Sequence, residues 1–141
     1  MRASMKPQRQ VECTIPVLSV RDLAKSIQFY TGILGFKLDW GGGQGSVICS
    51  VSRDGHAIML QQWEQKSSPV WVWIGLESAR LFEEFKSKGA RVLQEPQNHP
   101  WAYEMKFEDP DGNVLWFGTE PRRESHSKKG NCVTGARANP S

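Results

Sequence analysis

The sequence predicts an α+β fold in which two β-α-β-β-β modules follow one another and form a curved mixed sheet around a cleft. Three observations support this prediction. Pro110 and Asp111-Gly112 form a tight turn between two segments of alternating apolar residues, which is typical of a β-hairpin. The order of one strand, one helix and three strands occurs twice. Corresponding residues of the two copies are 54 to 57 positions apart (Gly35 with Gly89, and Gly55 with Gly112), which indicates an internal repeat.

The first module is assigned to residues 13–62. Residues 13–20 form a strand rich in β-branched residues, with Pro16 at an edge or a bend. Asp22 begins a helix whose apolar residues recur every three or four positions, and Gly35 ends it. Three strands follow, and the segments between them are a glycine loop and the turn at Asp54-Gly55. These strands are predicted at 36–40, 46–52 and 56–62, with the glycine loop at 41–45.

The second module is assigned to residues 70–119, after a polar linker at 63–69. Residues 70–74 form its first strand, and a helix follows from about Glu77 to Gly89. A strand at 91–94 and a longer loop containing proline lead to the hairpin that contains the Asp111-Gly112 turn. Together the two modules form a single domain at 13–119.

The charge distribution differs between the predicted domain and its flanks. The chain of 141 residues has a net charge of +3, and both the leader at 1–12 and the tail at 120–141 are basic. Residues 11–119 hold 10 Lys and Arg against 13 Asp and Glu, a net charge of −3. An acidic domain does not favour nucleic acid as a partner and is compatible with a cationic ligand, although a charge of this size is also ordinary for a solvated surface. We expect the tail to be disordered because it is rich in Ser, Lys, Gly and Asn.

Composition also bears on the compartment. No apolar run approaches the roughly 20 residues of a membrane helix, so no membrane segment is expected. Three cysteines without a CxxC pair are simplest to interpret as reduced thiols, which predicts a cytoplasmic protein.

The residues that usually carry catalytic or metal chemistry are scattered. His56, His99 and His126 share no strand or helix spacing, so they do not predict a metal site. Cys49 lies in the middle of a predicted strand without an activating neighbour. The glycine loop at 41–45 lies between strands rather than before a helix, so a phosphate-binding loop is not indicated.

Aromatic residues are the strongest binding signal. The chain has six tryptophans, and period-two alternation places Trp71 and Trp73 on the strand face opposite Val70, Val72 and Ile74. Trp116 likewise faces away from Leu115 and Phe117. Together with Trp101, these indoles form a cleft for a flat ligand, or else they fill the core or a dimer interface. Glu104 either meets a cationic ligand in this cleft or is an ordinary solvent-facing carboxylate.

These motifs, taken in order, resemble the glyoxalase/bleomycin-resistance/extradiol dioxygenase superfamily, also called the vicinal oxygen chelate superfamily. The resemblance spans about residues 13–119 and implies the fold of paired βαβββ modules described above. It rests on five segments: Ile-Pro-Val-Leu-Ser-Val-Arg-Asp-Leu (15–23), Phe29-Tyr30 with Leu34-Gly35-Phe36, Trp-Val-Trp-Ile (71–74), Pro100-Trp101 and Asp-Pro-Asp-Gly-Asn (109–113).

The enzymes of this superfamily bind a divalent metal through His, Gln or Glu on the first and last strands of each module. Those positions are occupied here by Ile15, Met59, Pro69 or Val70, and Trp116, none of which is a suitable ligand for such a cation apart from the weak thioether of Met59. The resemblance therefore implies a protein without a metal or another cofactor.

The chain is most similar to the bleomycin-resistance branch, which implies an antibiotic-binding resistance protein rather than an enzyme. In that branch a homodimer exchanges its N-terminal strand at a proline, here Pro16, and binds a cationic glycopeptide or other aromatic cation at the dimer interface. By motif position, Trp71, Trp101 and Glu104 correspond to its ligand-binding residues, and strand facing adds Trp73, Tyr103 and Trp116. Ala102-Tyr103 departs from the Gly-Arg that often follows Pro-Trp in this branch.

Two alternatives remain open. One is a metal-dependent lyase or isomerase of the glyoxalase type, with ligands such as His56, Gln62 or Glu104. The other is a pseudoenzyme whose aromatic surface binds a protein partner.

Overall fold

The computed structural model describes residues 9–65 and 68–123, which form two four-stranded mixed sheets with few helices. The strand order is β1-β4-β3-β2 in the first sheet and β5-β8-β7-β6 in the second. In each sheet one pair of strands is parallel and the others are antiparallel, and the parallel pairs are β1 with β4 and β5 with β8. The predicted fold of tandem βαβββ modules is therefore confirmed. The strands are β1 Val17–Val20, β2 Lys37–Gly41, β3 Ile48–Arg53, β4 His56–Gln62, β5 Trp71–Gly75, β6 Arg91–Asn98, β7 Tyr103–Glu108 and β8 Val114–Thr119.

The first helix is shorter than its apolar pattern indicates. Helix α1 spans Leu23–Gln28 and continues as a π-helical turn over Phe29–Ile33. The side chain of Asp22 accepts a hydrogen bond from Lys25 N at 3.1 Å and caps the helix, so the predicted start of the helix at Asp22 is confirmed. Periodicity alone does not distinguish the π-helical turn from a continuing α-helix, because its apolar residues keep facing the core.

The second module differs from its prediction at two places. Helix α2 spans Arg80–Ser87 and begins three residues after the predicted start at Glu77. Strand β6 continues to Asn98, past Pro96, where the prediction ended it at Gln94. A proline is tolerated there because β6 is the edge strand of its sheet and bulges interrupt its pairing with β7, so no ladder hydrogen bond from residue 96 is needed.

The two modules share one core and meet at the β7–β8 turn. Side chains buried from both sheets and both helices form a single apolar cluster. Tyr30 Oη, from the first module, donates a hydrogen bond to Asp109 Oδ2 at 2.8 Å, and Asn113 Nδ2 donates one to the carbonyl oxygen of Ser19 at 3.2 Å. Asp109 also accepts the backbone N–H groups of Asp111 and Asn113 at 2.8 and 2.9 Å. The hairpin predicted from the Asp-Pro-Asp-Gly-Asn motif is thus confirmed, and its turn also joins the modules.

Within the described residues no helix has the length and apolar character needed to cross a membrane. The predicted leader at 1–12 and tail at 120–141 lie largely outside the described residues, as do two residues of the predicted linker.

The buried phenol of Tyr30 predicts a loss of stability in alkali. Burial first, and then the negative charge of Asp109, raise the pKa of Tyr30 well above its usual value of 10.0. In the folded protein the phenol therefore keeps its proton at pH values where the unfolded chain loses it. The free energy of unfolding should be unaffected by this group below pH 10 and should fall above it by up to about 1.4 kcal/mol per pH unit.

Urea unfolding of three proteins between pH 8 and 11.5 tests this expectation. Tyr30→Phe should remove the part of the decline that this phenol contributes, whereas Tyr103→Phe should keep it. Identical alkaline slopes for Tyr30→Phe and the unchanged protein would contradict the assignment.

Candidate ligand-binding site

The tryptophans predicted to face away from α2 do so. Val72 and Ile74 pack against the core, whereas Trp71 and Trp73 are 61% and 48% exposed on the opposite side of β5. Trp73 is paired with Trp116 across the parallel strands β5 and β8. Val70 was predicted to lie on the same strand face as Val72 and Ile74, but it precedes the strand and is exposed.

The three indoles form one continuous surface. Trp116 is edge-on to both neighbours, with ring centroids 5.8 Å from Trp71 and 5.1 Å from Trp73 and interplanar angles of 90° and 89°. Such T-shaped pairs hold each ring in a defined orientation. We call the surface formed by Trp71, Trp73, Trp116 and the neighbouring Lys106 the aromatic face.

A glycine allows Trp73 to lie across β8. A Cβ atom built on Gly118 would lie 2.2 Å from Cη2 of the Trp73 ring and 2.9 Å from Cζ2 and Cζ3, so the ring rests on the bare backbone of this residue. Sequence reasoning did not identify Gly118 as a site residue. A glycine inside a strand is the signal that could have done so, since it often marks a close approach.

Lys106 is a second residue that sequence reasoning missed. It is paired with Trp116 across β7 and β8, and its Nζ lies 5.1 Å from the Trp116 ring centroid and 5.7 Å from that of Trp71. The same ammonium group donates a hydrogen bond to Gln94 Oε1 at 2.7 Å. Period-two alternation from Glu104 places Lys106 on this face, so the sequence did contain the signal.

Glu104 lies at one end of the aromatic face and is only 3% exposed. It is paired with Gly118, on which the Trp73 ring rests. Its Oε2 is 3.6 Å from His99 Nε2, and the His99 ring stacks on Trp101 with centroids 4.6 Å apart and an interplanar angle of 1°. The predicted residues Trp101 and Glu104 are therefore linked through His99.

Tyr103 does not belong to this face. Its ring stacks on Phe82 of α2, with ring centroids 5.8 Å apart. The guanidinium of Arg122, a residue that follows β8, lies 3.9 Å from the centroid of the Tyr103 ring. Tyr103 alternates with Glu104 along β7 and shares the core side with Met105 and Phe107. Tyr103 was predicted from strand facing to join the tryptophans, but its alternation with Met105 and Phe107 along β7 places it on the core side.

Three buried polar atoms on this side of the second sheet have no hydrogen-bond partner. Among the described residues, the buried side-chain nitrogen and oxygen atoms without a partner are Gln94 Nε2, Glu104 Oε1 and Trp116 Nε1. Buried polar groups are normally paired because an unpaired one costs about 1–3 kcal/mol. Because they occur together beside the exposed indoles, this face is the candidate binding site.

The residues at the superfamily's metal positions do not fit a divalent cation. Met59 and Trp116 lie on the strand faces that point away from the apolar core. Ile15 and Val70 are exposed apolar residues outside the strands. Within residues 9–65 and 68–123, no three His, Cys, Asp or Glu side chains lie close enough together to hold a metal ion. Gln62, a candidate ligand of the lyase alternative, uses Oε1 to accept the Leu23 N–H at 2.7 Å.

A separate cleft of about 250 Å³ lies where the modules meet. Trp63 and the β7–β8 turn form part of its wall, and the carboxylate of Asp111 accepts the Arg21 N–H there at 2.9 Å. None of the residues of the aromatic face lines it.

The comparisons with known proteins agree with this architecture. A family model described as the glyoxalase/bleomycin resistance protein/dioxygenase superfamily matches residues 11–117, so the chain belongs to this superfamily. A search of curated proteins found no match.

Solved structures share the fold. An integron cassette protein from the mobile metagenome of the Halifax Harbour sewage outfall is 27% identical, with a TM-score of 0.66 over 74% of this chain and 95% of its own. TioX from Micromonospora sp. ML1 is 15% identical, with a TM-score of 0.70 over 77% and 98%. TnmS3 from Streptomyces sp. CB03234, described as an antibiotic binding protein, is 23% identical, with a TM-score of 0.65 over 81% and 100%.

Proposed function

We propose that this protein binds a flat aromatic small molecule on the aromatic face and sequesters it without chemical turnover. The observation that carries the proposal is the group of three indoles, two of them about half exposed or more, set beside three buried polar atoms without partners. Exposed tryptophans are costly on a surface that meets only water, and they bind planar rings by stacking and burial.

The description of TnmS3 as an antibiotic binding protein supports a binding role for this chain as well. Superfamily membership is compatible with the proposal, since the family model itself includes bleomycin resistance proteins. Resistance to an antibiotic is the biological role that we propose for such sequestration in the cytoplasm. A metal-free site also remains a prediction, and metal analysis of the purified protein tests it.

A homodimer would complete the site. On the single chain the aromatic face is open, so a bound ring is covered on one side only. Residues 9–16 are exposed and include the apolar Val11 and Ile15, which makes this segment suitable for exchange with a second copy at Pro16. Light scattering at micromolar concentration should therefore give the mass of a dimer, and a monomer would remove the interface groove from the proposal.

Removal of one exposed indole tests the binding role. The probes are anthracene-9-carboxylate, 9-(aminomethyl)anthracene and copper-free bleomycin, each titrated by calorimetry. Trp71→Ala should weaken the binding of at least one probe about fivefold, because one aromatic contact is worth about 1 kcal/mol beyond burial.

Trp63→Ala is the matched control, since this residue lines the cleft between the modules and not the aromatic face. Binding that depends on Trp63 but not on Trp71 would move the site to that cleft. Absence of binding by every probe would remove the small-molecule proposal and favour the surface that binds a protein partner.

A further inference from the structure

We propose that Lys106 makes the aromatic face selective for flat ligands that carry an anionic oxygen, such as a carboxylate or a phenolate. This inference rests on the proposed function and specifies its ligand class. It differs from the cationic ligand expected from the net charge of −3, because the charges at the face itself differ from those of the whole domain.

Two of the indole rings already have a cation over them. A cation is attracted to the face of a tryptophan within about 6 Å of the ring centroid. Lys106 Nζ already occupies such positions over Trp71 and Trp116, at 5.7 and 5.1 Å. A cationic ligand would have to compete with this ammonium for the same rings and would also be repelled by it, whereas an anion would be attracted.

The carboxylates on either side of Lys106 along β7 already face other side chains. Glu104 and Glu108 flank Lys106 along β7, and Glu104 is 3% exposed with one of its oxygens facing His99. Glu108, on the same side of β7, is 3.2 Å from Arg91 Nη1. Lys106 is half-buried and holds its ammonium over two of the indoles, where a ligand that stacks on them meets this charge.

Two hydrogen-bond donors without acceptors belong to side chains next to the ammonium of Lys106. Trp116 Nε1 and Gln94 Nε2 are donors, and both are buried without an acceptor. Gln94 contacts Lys106 directly, and Trp116 lies beneath its ammonium. The three donor groups therefore belong to neighbouring side chains, and an oxygen anion is the ligand group that accepts hydrogen bonds from such donors. The remaining unpaired atom, Glu104 Oε1, can accept from a hydroxyl group on the same ligand.

The experiment compares two probes that share a ring system and differ in charge. Anthracene-9-carboxylate and 9-(aminomethyl)anthracene are titrated by calorimetry at pH 7.5 and constant ionic strength. The unchanged protein should bind the carboxylate about fivefold more tightly, which is the scale of a partly exposed ion pair. Lys106→Met should lose this preference, and Lys106→Gln, which is polar and uncharged, should lose it as well. Lys88→Met, which removes a cation at the end of α2 that is paired with Glu84, should retain it.

The outcomes separate this inference from the function on which it rests. Binding of both probes that depends on Trp71 would show that the aromatic face is a binding site. If in that case the amine binds as tightly as the carboxylate, or more tightly, the anion selectivity is wrong. If the preference exists but survives in both Lys106 variants, Lys106 is not its source. If neither anthracene probe binds, this inference is wrong, and if copper-free bleomycin does not bind either, the proposed function is wrong as well.

Discussion

Asp109→Ala is expected to lower the free energy of unfolding by about 3 kcal/mol. Asp109 is 3% exposed, and its carboxylate accepts four hydrogen bonds. Two of them come from Tyr30 Oη at 2.8 Å and from Asn113 Nδ2 at 3.0 Å. The substitution leaves the Tyr30 hydroxyl buried without this acceptor and removes one of the two acceptors of Asn113 Nδ2, and a buried group without its partner costs about 1–3 kcal/mol. The same carboxylate accepts hydrogen bonds within the β7–β8 turn and from Tyr30 of the first module. Its removal therefore destabilises both the hairpin and the junction between the modules.

Urea unfolding measures the effect, and two further variants keep the test informative if Asp109→Ala does not fold. Asp109→Asn preserves the shape and should cost less, and Tyr30→Phe should remove only one of the four bonds. Glu95→Ala is the control, since this carboxylate is mostly exposed and makes a single ion pair with Lys86. A loss below about 1 kcal/mol for Asp109→Ala would show that the turn does not join the modules energetically.

Gly118→Ala is expected to weaken binding of a planar probe more than tenfold with a modest loss of stability. The new Cβ atom would lie 2.2 Å from the Trp73 ring, so the ring has to leave its place across β8. Trp73 is about half exposed and can move outward, at the cost of its edge-to-face contact with Trp116, which is worth about 1 kcal/mol. The surface on which a planar ligand stacks would thereby be disrupted.

Gly75→Ala provides a close control, because Gly75 is paired with Gly118 and its added Cβ would meet the same Trp73 side chain at an ordinary 3.7 Å. It should leave the affinity within about twofold, since a contact of that length needs no rearrangement. Near-ultraviolet circular dichroism should change in Gly118→Ala and not in Gly75→Ala. Equal affinities of the two variants would mean that the position of Trp73 across β8 is not required for binding.

Local patterns in the sequence were sufficient for most of the fold. Turn and capping chemistry decide the structure where the determining residues are close together in the chain. Examples are the Asp-Pro-Asp-Gly-Asn turn, the start of the first helix at Asp22 and the repeated order of elements. The outward direction of Trp71 and Trp73 follows from strict alternation along a short strand. These features could be predicted because neighbours in sequence determine them.

The features that were missed depend on distant residues. Strand β6 continues through Pro96 because it lies at the edge of its sheet, and strand order cannot be obtained from one segment. The close approach of Trp73 to Gly118 joins residues of different strands in a register that the sequence does not specify. Tyr103 is the exception, since its alternation with Met105 and Phe107 was visible in the sequence and already placed it on the core side.

The most direct test of the account is fluorine NMR of protein that contains 5-fluorotryptophan. Six tryptophans give six resonances, which single Trp→Phe variants assign. During titration with anthracene-9-carboxylate, the resonances of Trp71, Trp73 and Trp116 should shift together and saturate, while that of Trp63 should stay in place. A saturable shift of Trp63 without any change in the other three would place the ligand in the cleft between the modules and contradict the aromatic face as the binding site.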